Sequence, residues 1–329
     1  MDGRHLQNAQ KGGGIARDAN FIKRELSKIF ELEVDQYQTK VKKFQRNFRS
    51  FIGSKTDLKL NCDVYWSSQP NSLTNSLAST TYVRMHDIFP ITNPNWFRGI
   101  NVASFKNAMN LAIQEKHIFV ANSHYTKMQI QKYLGAKNIH IHVLPCKVEL
   151  LSGFLCENCD ACKTLEKIPN NFILSVGTIE PRKNLDLLNT VFNDNTFPKL
   201  VIVGRDGWKS RKLVRGLSQN SNLIWLKTTC DASLDLLYRR ADLFISASFD
   251  EGFDLPSHEA ILYNLPMLLS DIPIRREMGI TFPMPSPKLA SDWVKLLKHS
   301  LQKPDEFVLK DTHLLSNFEN NLREIISYE

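Results

Sequence analysis

Five short apolar runs punctuate the second half of the chain: FILSVG (172–177), LVIVG (200–204), NLIWL (222–226), ADLFISAS (241–248) and LPMLLS (265–270). The segments between them carry helical spacing. NLDLLNTVF places Leu185, Leu188 and Val191 on one face, and SLDLLYRRA does the same with Leu234, Leu237 and Tyr238. Strands that alternate with such helices predict parallel βαβ units and a doubly wound α/β sheet. The runs are continuously apolar, as strands buried on both faces require. Ligands of such sheets bind beyond the carboxyl ends of the strands, and Gly177 and Gly204 stand at two of those ends.

The first half carries a fainter version of the same pattern. TYVRMHDIFP (81–90), HIFVANSHYT (117–126) and HIHVLP (140–145) read as strands, the first two running into loops. ASFKNAMNLAIQE (103–115) and YTKMQIQKYLG (125–135) read as helices. Residues 146–170 lack periodicity and hold a cysteine cluster, which marks a boundary. The expected division is an N-terminal Rossmann-like domain over 1–146, a cysteine-containing linker over 147–170, a second Rossmann-like domain over 171–315 and a C-terminal helix over 316–329. That last helix, SNFENNLREIISYE, has Phe318, Leu322 and Ile325 or Ile326 on one face.

Composition narrows the function classes. A chain of 329 residues that is 42% hydrophobic and 23% charged suits two globular domains. No apolar run is long enough to span a bilayer, and MDGRHLQNAQKGGG lacks the apolar core of a signal peptide. The expectation is a cytoplasmic protein. The net charge of +8 favours anionic partners. No nucleic-acid-binding motif is recognisable, so a phosphorylated ligand or an acidic membrane surface is expected rather than nucleic acid.

Two stretches carry candidate chemistry. TIEPRKN (178–184) follows a strand and opens a helix, so Arg182 and Lys183 sit where backbone N–H groups, a helix dipole and two cations converge. That arrangement suits a diphosphate; a solvated basic turn is the plainer alternative. In SFDEGFDLPSHEA (248–260), Ser257 beside Pro256 reads as a helix N-cap. Glu251 is then expected on a loop, and Glu259 in the first helical turn. A carboxylate there can accept from the paired hydroxyls of a ribose, or simply offset the helix dipole. His258 reads as a surface or cap residue.

VGTIEPRKN, LVIVGRDGW, ADLFISASFDEGFDLPSHEA and LPMLLSDIPIRREMG together resemble the donor-binding half of the retaining GT-B glycosyltransferases of family 4. The likeness is close over 171–280. It extends more weakly through HDIFPITNPNWF, FVANSHYTKMQIQKYLG and KGGGIAR. It implies two Rossmann-like domains facing across a cleft, and transfer of a hexose from a nucleotide diphosphate sugar to a saccharide or lipid-linked acceptor. Mannose from GDP-mannose is the first expectation, in surface polysaccharide or lipopolysaccharide synthesis on the inner face of the membrane. A non-catalytic nucleotide-sugar-binding protein and a nucleotide-sugar epimerase of the same fold are the alternatives.

The resemblance also implies roles. Lys183, with Arg182 beside it, would bind the donor diphosphate. Glu251 and Glu259 match the two ends of an E-x7-E motif, the first near the donor sugar and the second on the ribose. Gly252, Phe253, Asp254 and Leu255 match the donor-sugar loop. His86 matches the histidine near the sugar's reactive carbon, and Gly13 and Gly14 match a glycine loop that lets backbone approach the phosphates. The chain departs from the family pattern at three places. Thr178 stands where an arginine is usual. Asp254 replaces a glycine, where it is expected to turn away from the diphosphate or to read a donor hydroxyl. The chain opens at Asp2-Gly3-Arg4 without the apolar strand that precedes such a segment in the family, so the expectation is either a mis-set start or an N-terminal domain that lacks its first strand. No D-x-D motif occurs, and no metal or other cofactor is expected to be required for the reaction.

Two further features stand outside that pattern. Cys156, Cys159 and Cys162 form C-x2-C-x2-C, with Cys146 ten residues earlier as the candidate fourth ligand of a structural metal. An incidental cluster is the alternative. KVKKFQRNFRSFI (40–52) has an apolar stripe ringed by lysine and arginine, which fits a helix lying on an anionic membrane or one packed on its own domain.

Overall fold

The computed structural model describes residues 14–30, 62–73, 78–135, 139–193, 196–309 and 318–326. Gly13 and the basic segment 40–52 lie outside the described residues, as do residues 1–12, on which the expected lack of a first strand bears. The chain forms two compact units, Met1–Lys147 with Leu315–Glu329, and Val148–Leu314.

The first unit holds a parallel sheet of β1 (Val64–Ser67), β2 (Thr80–Met85), β3 (Ile118–Ala121) and β4 (Ile141–Val143), ordered as in the sequence. Helices Gly99–Gln114 and His124–Leu134 connect these strands. Ser123 caps the second by accepting from the Thr126 N–H at 3.0 Å, and Gly135 ends it in the left-handed conformation, φ +63°. One face of the sheet is covered by a helix the pattern did not announce, Gly14–Leu26, and by the C-terminal helix Phe318–Ile326. Ile22 and Leu26 pack with Trp66, Tyr82, Phe318 and Leu322, and the Tyr82 hydroxyl donates to the Ile325 carbonyl at 3.1 Å. The last helix thus completes the first unit's core.

The second unit carries the five strands read from the apolar runs: β5 (Phe172–Val176), β6 (Lys199–Val203), β7 (Leu223–Leu226), β8 (Leu243–Ser246) and β9 (Met267–Leu269). All pair in parallel, in the order β7-β6-β5-β8-β9. The chain builds outward from β5 to β7, then returns to lay β8 on the other side of β5. A crevice opens at such a reversal, beyond the carboxyl ends of the two strands flanking it. Those ends are Val176 and Ser246, so the loops after β5 and β8 share the crevice.

Candidate active site

Two glycines shape the floor of this crevice. Gly177 ends β5 with φ +153°, and a Cβ there would lie 2.9 Å from Lys183 Cε. Gly204 ends β6 with φ +154°, and its Cβ would meet the Gly177 carbonyl oxygen at 2.0 Å. Any other residue at 204 would push the two strand ends apart; any other at 177 would push the lysine out of place.

After Gly177 the chain passes through Thr178, half-buried, and turns in a 3-10 segment, Pro181–Lys183. Asn184 adopts a left-handed conformation, φ +53°, and its amide donates to the Ala247 carbonyl at 3.0 Å and the Pro287 carbonyl at 2.7 Å. This clamp ties the loop after β5 to the strand end of β8. The helix opens only at Leu185, so Arg182 and Lys183 precede it.

Glu251 reaches across from the loop after β8. It lies on that loop, as the sequence predicts, and is buried. The Lys183 ammonium donates to Glu251 Oε1 at 2.7 Å, the Ser248 hydroxyl to the same oxygen at 2.7 Å, and Arg182 Nη1 pairs with Oε2. Arg182 also donates to the Glu180 carboxylate, at 2.7 Å from Nη2 and 3.1 Å from Nε, and to the Asp250 carbonyl at 2.9 Å. Two cations and two carboxylates therefore span the crevice. Burial pushes the Glu251 carboxyl up, but Arg182 and then Lys183 more than offset it and hold it well below the usual carboxylate range. Glu180 and Ser248 belong to this cluster, and the sequence reading had no signal for either.

The donor-sugar loop departs from expectation at its helix. Asp254, not Ser257, is the N-cap: it takes φ +64°, and the helix runs Leu255–Leu262 with Pro256 in its first turn. Ser257 lies inside the helix and donates to Asp254 Oδ2 at 2.6 Å. Arg275 explains the earlier start. It is fully buried, donates from Nε to Asp254 Oδ2 at 2.9 Å, and spends its remaining donors on Ser246 and Ser270. Asp254 Oδ2 is thereby committed to Arg275 and Ser257, while Oδ1 is buried without a hydrogen-bond partner. His258, read as a surface residue, is buried and stacks on Phe253 with ring centroids 4.2 Å apart. Its Nδ1 donates to the Asp254 carbonyl at 3.1 Å, and burial lowers its pKa, so the ring is neutral. Gly252 and Phe253 are buried, Leu255 half-buried.

Glu259 falls in the second turn of its helix rather than the first, because the helix begins earlier. It is buried, and the Tyr238 hydroxyl donates to Oε2 at 2.8 Å. Tyr238, on the helix face that SLDLLYRRA predicts, stacks its ring on Tyr263 at 5.1 Å, which fixes the hydroxyl on the carboxylate.

In the first unit, His86 follows β2, and its Nε2 lies 3.8 Å from Asp18 Oδ2. Asp18 sits on helix Gly14–Leu26, which Gly14 opens, and pairs with the fully buried Arg84 at 2.8 and 3.0 Å. Arg84 Nη2 also points at Cys146 Sγ, 3.5 Å away, and burial drives that thiol's pKa well up. Cys146 is thus not the fourth member of the cysteine cluster. Cys230 is: the sulfurs of Cys156, Cys159, Cys162 and Cys230 all lie within 4.8 Å of one another. The spacing along the chain favoured Cys146, but the loop after β7 is what brings the fourth sulfur in.

Comparison with known proteins bears on the family and the fold. Residues 162–281, which contain the whole crevice, match the family model of the glycosyl transferases group 1. The chain is 28% identical over 253 residues to the serotype-specific mannosyltransferase WbdA of Escherichia coli, an alignment covering 68% of this chain and 31% of the relative. It is 24% identical over 252 residues to the O-antigen chain mannosyltransferase RfbU of Salmonella typhimurium, covering 74% of this chain and 67% of that one. The chain thus spans about a third of the length of WbdA. Among solved structures, sucrose-phosphate synthase of Thermosynechococcus elongatus superposes with a TM-score of 0.68 at 15% identity, over 98% of this chain and 93% of the other. The fold is that of the GT-B glycosyltransferases.

Proposed function

We propose that this chain is a retaining hexosyltransferase that takes mannose from a nucleoside diphosphate sugar and adds it to a growing surface polysaccharide. The observation that carries this reading is the bridge of Lys183 and Arg182 to Glu251 across the reversal point of the second sheet. An ammonium has three N–H donors. Among the described residues Lys183 gives one to Glu251, at 2.7 Å. The others are left for the oxygens of a diphosphate, while Glu251 fixes where the ammonium stands. Charge that builds on the departing diphosphate then meets a cation already in place, which is the form of stabilisation that costs no reorganisation during the reaction.

Thr178 adds a hydroxyl donor rather than a charge at the same strand end, and Gly14 gives backbone access on the acceptor side. Glu259, with one oxygen held by Tyr238, is assigned to the ribose. Gly252, Phe253 and Leu255 are assigned to the donor sugar, while Asp254 shapes their loop through Arg275 instead of touching the ligand. His86 is assigned to the sugar's reactive carbon on the likeness of its HD pair. The acceptor hydroxyl attacks on the face the leaving group vacates, and the departing phosphate takes its proton; no protein nucleophile and no metal takes part. Similarity to mannosyltransferases, one of them named for the O-antigen chain, supports mannose and a saccharide or lipid-linked acceptor. Among the described residues no helix is long and apolar enough to cross a membrane. We place the reaction on the cytoplasmic face, where nucleotide sugars are made.

Turnover of a panel of nucleotide sugars by the wild type and by Glu251→Ala tests the assignment. GDP-mannose consumed by the wild type and spared by the variant supports it. Equal turnover by both removes Glu251 from the reaction.

A further inference from the structure

The four-cysteine cluster includes none of the crevice residues and plays no part in the proposed chemistry. Its sulfurs come from two loops of the second unit. Cys156, Cys159 and Cys162 surround the start of the short helix Asp160–Thr164, and Cys230 is the N-cap of helix Asp231–Arg240. The loops are tied reciprocally before any sulfur is considered. Asp160 N–H donates to the Thr228 hydroxyl at 2.9 Å, Thr228 N–H to Asp160 Oδ2 at 3.1 Å, and Ala161 N–H to the Thr228 carbonyl at 3.1 Å. The backbone therefore presents the four side chains to one point.

We propose that Cys156, Cys159, Cys162 and Cys230 bind a single zinc ion in a closed structural site. A regular ZnS4 tetrahedron with Zn–S bonds of about 2.3 Å has sulfur–sulfur edges of about 3.8 Å. Cys156 and Cys162 sulfurs are 4.0 Å apart, and Cys162 and Cys230 sulfurs 3.5 Å. All four cysteines are free thiols. Four sulfurs within 4.8 Å of one another leave room for one ion and none for a multi-iron cluster. The surroundings also suit sulfur that carries charge. The Cys162 N–H donates to Cys159 Sγ at 3.4 Å, and the Ser233 hydroxyl lies 3.4 Å from Cys230 Sγ and 3.7 Å from Cys159 Sγ. Such outer contacts orient and stabilise ligating thiolates.

Loading balances simply. Four thiols release four protons to solvent, and the zinc ion and four thiolates form a site of net charge −2. With four protein ligands no position is open to water or substrate, so the ion staples and does not catalyse. It joins the segment that enters the second unit to the start of the helix bearing Tyr238.

Elemental analysis of the purified full chain, grown with zinc, tests this. About one zinc per chain is expected in the wild type and in Cys146→Ser, and almost none in Cys230→Ser. Cys230→His, which keeps a four-ligand nitrogen–sulfur set, should retain the metal. In case Cys230→Ser does not fold, the wild type carries a second readout. Titrating its thiols with a mercurial should release the zinc to a chromophoric chelator, and cobalt exchanged into the site should show the thiolate charge-transfer and intense d–d bands of tetrahedral CoS4. A folded wild type without zinc, iron in its place, full zinc in Cys230→Ser, or disulfides among the four cysteines would each overturn the proposal.

Discussion

Both units bury a carboxylate against an arginine beside the end of a parallel strand, yet the two pairs differ in kind. Arg84 and Asp18 in the first unit have side chains 0% and 1% exposed. Arg84 also donates to the Ala121 and Leu144 carbonyls and to Cys146, so nothing is left for a ligand. Arg182 and Lys183 remain 16% and 11% exposed around a carboxylate that is itself buried, 6% exposed. The first pair closes a core; the second leaves two cations partly exposed at a crevice. Asp254 with Arg275 repeats the closed kind only a few residues from Glu251. Accessibility of the cation, rather than the presence of a buried ion pair, is what separates the proposed binding site from scaffolding.

The comparison breaks most visibly at Arg84. Arg84→Met leaves Asp18 buried without its arginine, with His86 3.8 Å away, and should cost about 3–5 kcal/mol of stability in urea unfolding. Adding Asp18→Leu should recover most of that loss, as replacing a whole buried pair with apolar side chains usually does. A loss below about 1 kcal/mol in the single variant would mean that the pair is not closed. Lys183→Ala should do the opposite. Its folded stability stays near wild type because Arg182 still holds Glu251, while kcat/KM falls about 100-fold for want of a cation on the leaving group.

A smaller effect is expected at Tyr238. Tyr238→Phe removes one hydrogen bond to Glu259, about 1 kcal/mol, and should raise KM for the donor roughly fivefold with kcat little changed. The subtlest test is acid stability, invisible at neutral pH. The folded Glu251 carboxyl titrates below its ordinary value of 4.5, so the unfolded chain takes up that proton first as pH falls. The pair's contribution is whole above that value and drains away below it, until the folded carboxyl is itself protonated. Glu251→Gln should therefore lose less stability than the wild type between neutral pH and about pH 3. Parallel acid limbs in the two proteins would contradict the assigned shift.

Much of the second unit was legible because burial on both faces leaves its mark as unbroken apolar runs. Each of the runs at 172, 200, 222, 241 and 265 became a strand, and the spacing of TIEPRKN and EGFDLPSHEA put their charges at strand ends. The first unit was harder to read. Helix Gly14–Leu26 buries polar Asp18 and Glu25 beside Ala19 and Ile22, so its inner face does not look apolar. Short β1, VYWS, has no run to detect. Pairings across long sequence separations were hidden for another reason. Local chemistry favoured Ser257 as the cap and Cys146 as the fourth thiol; Arg275, on the later helix Pro273–Glu277, and Cys230, at the cap of helix Asp231–Arg240, decided otherwise. His258 looked like a surface residue because nothing in its neighbourhood says that Phe253 will fold back to stack on it.

The most direct measurement is calorimetric titration of GDP and UDP into the wild type and into Lys183→Ala. If the crevice cations hold a diphosphate, one equivalent of at least one nucleotide binds the wild type, and the substitution weakens it at least about tenfold, a loss of about 1.4 kcal/mol. Equal affinity in the two proteins, or no saturable binding of either nucleotide to the wild type, would contradict that role.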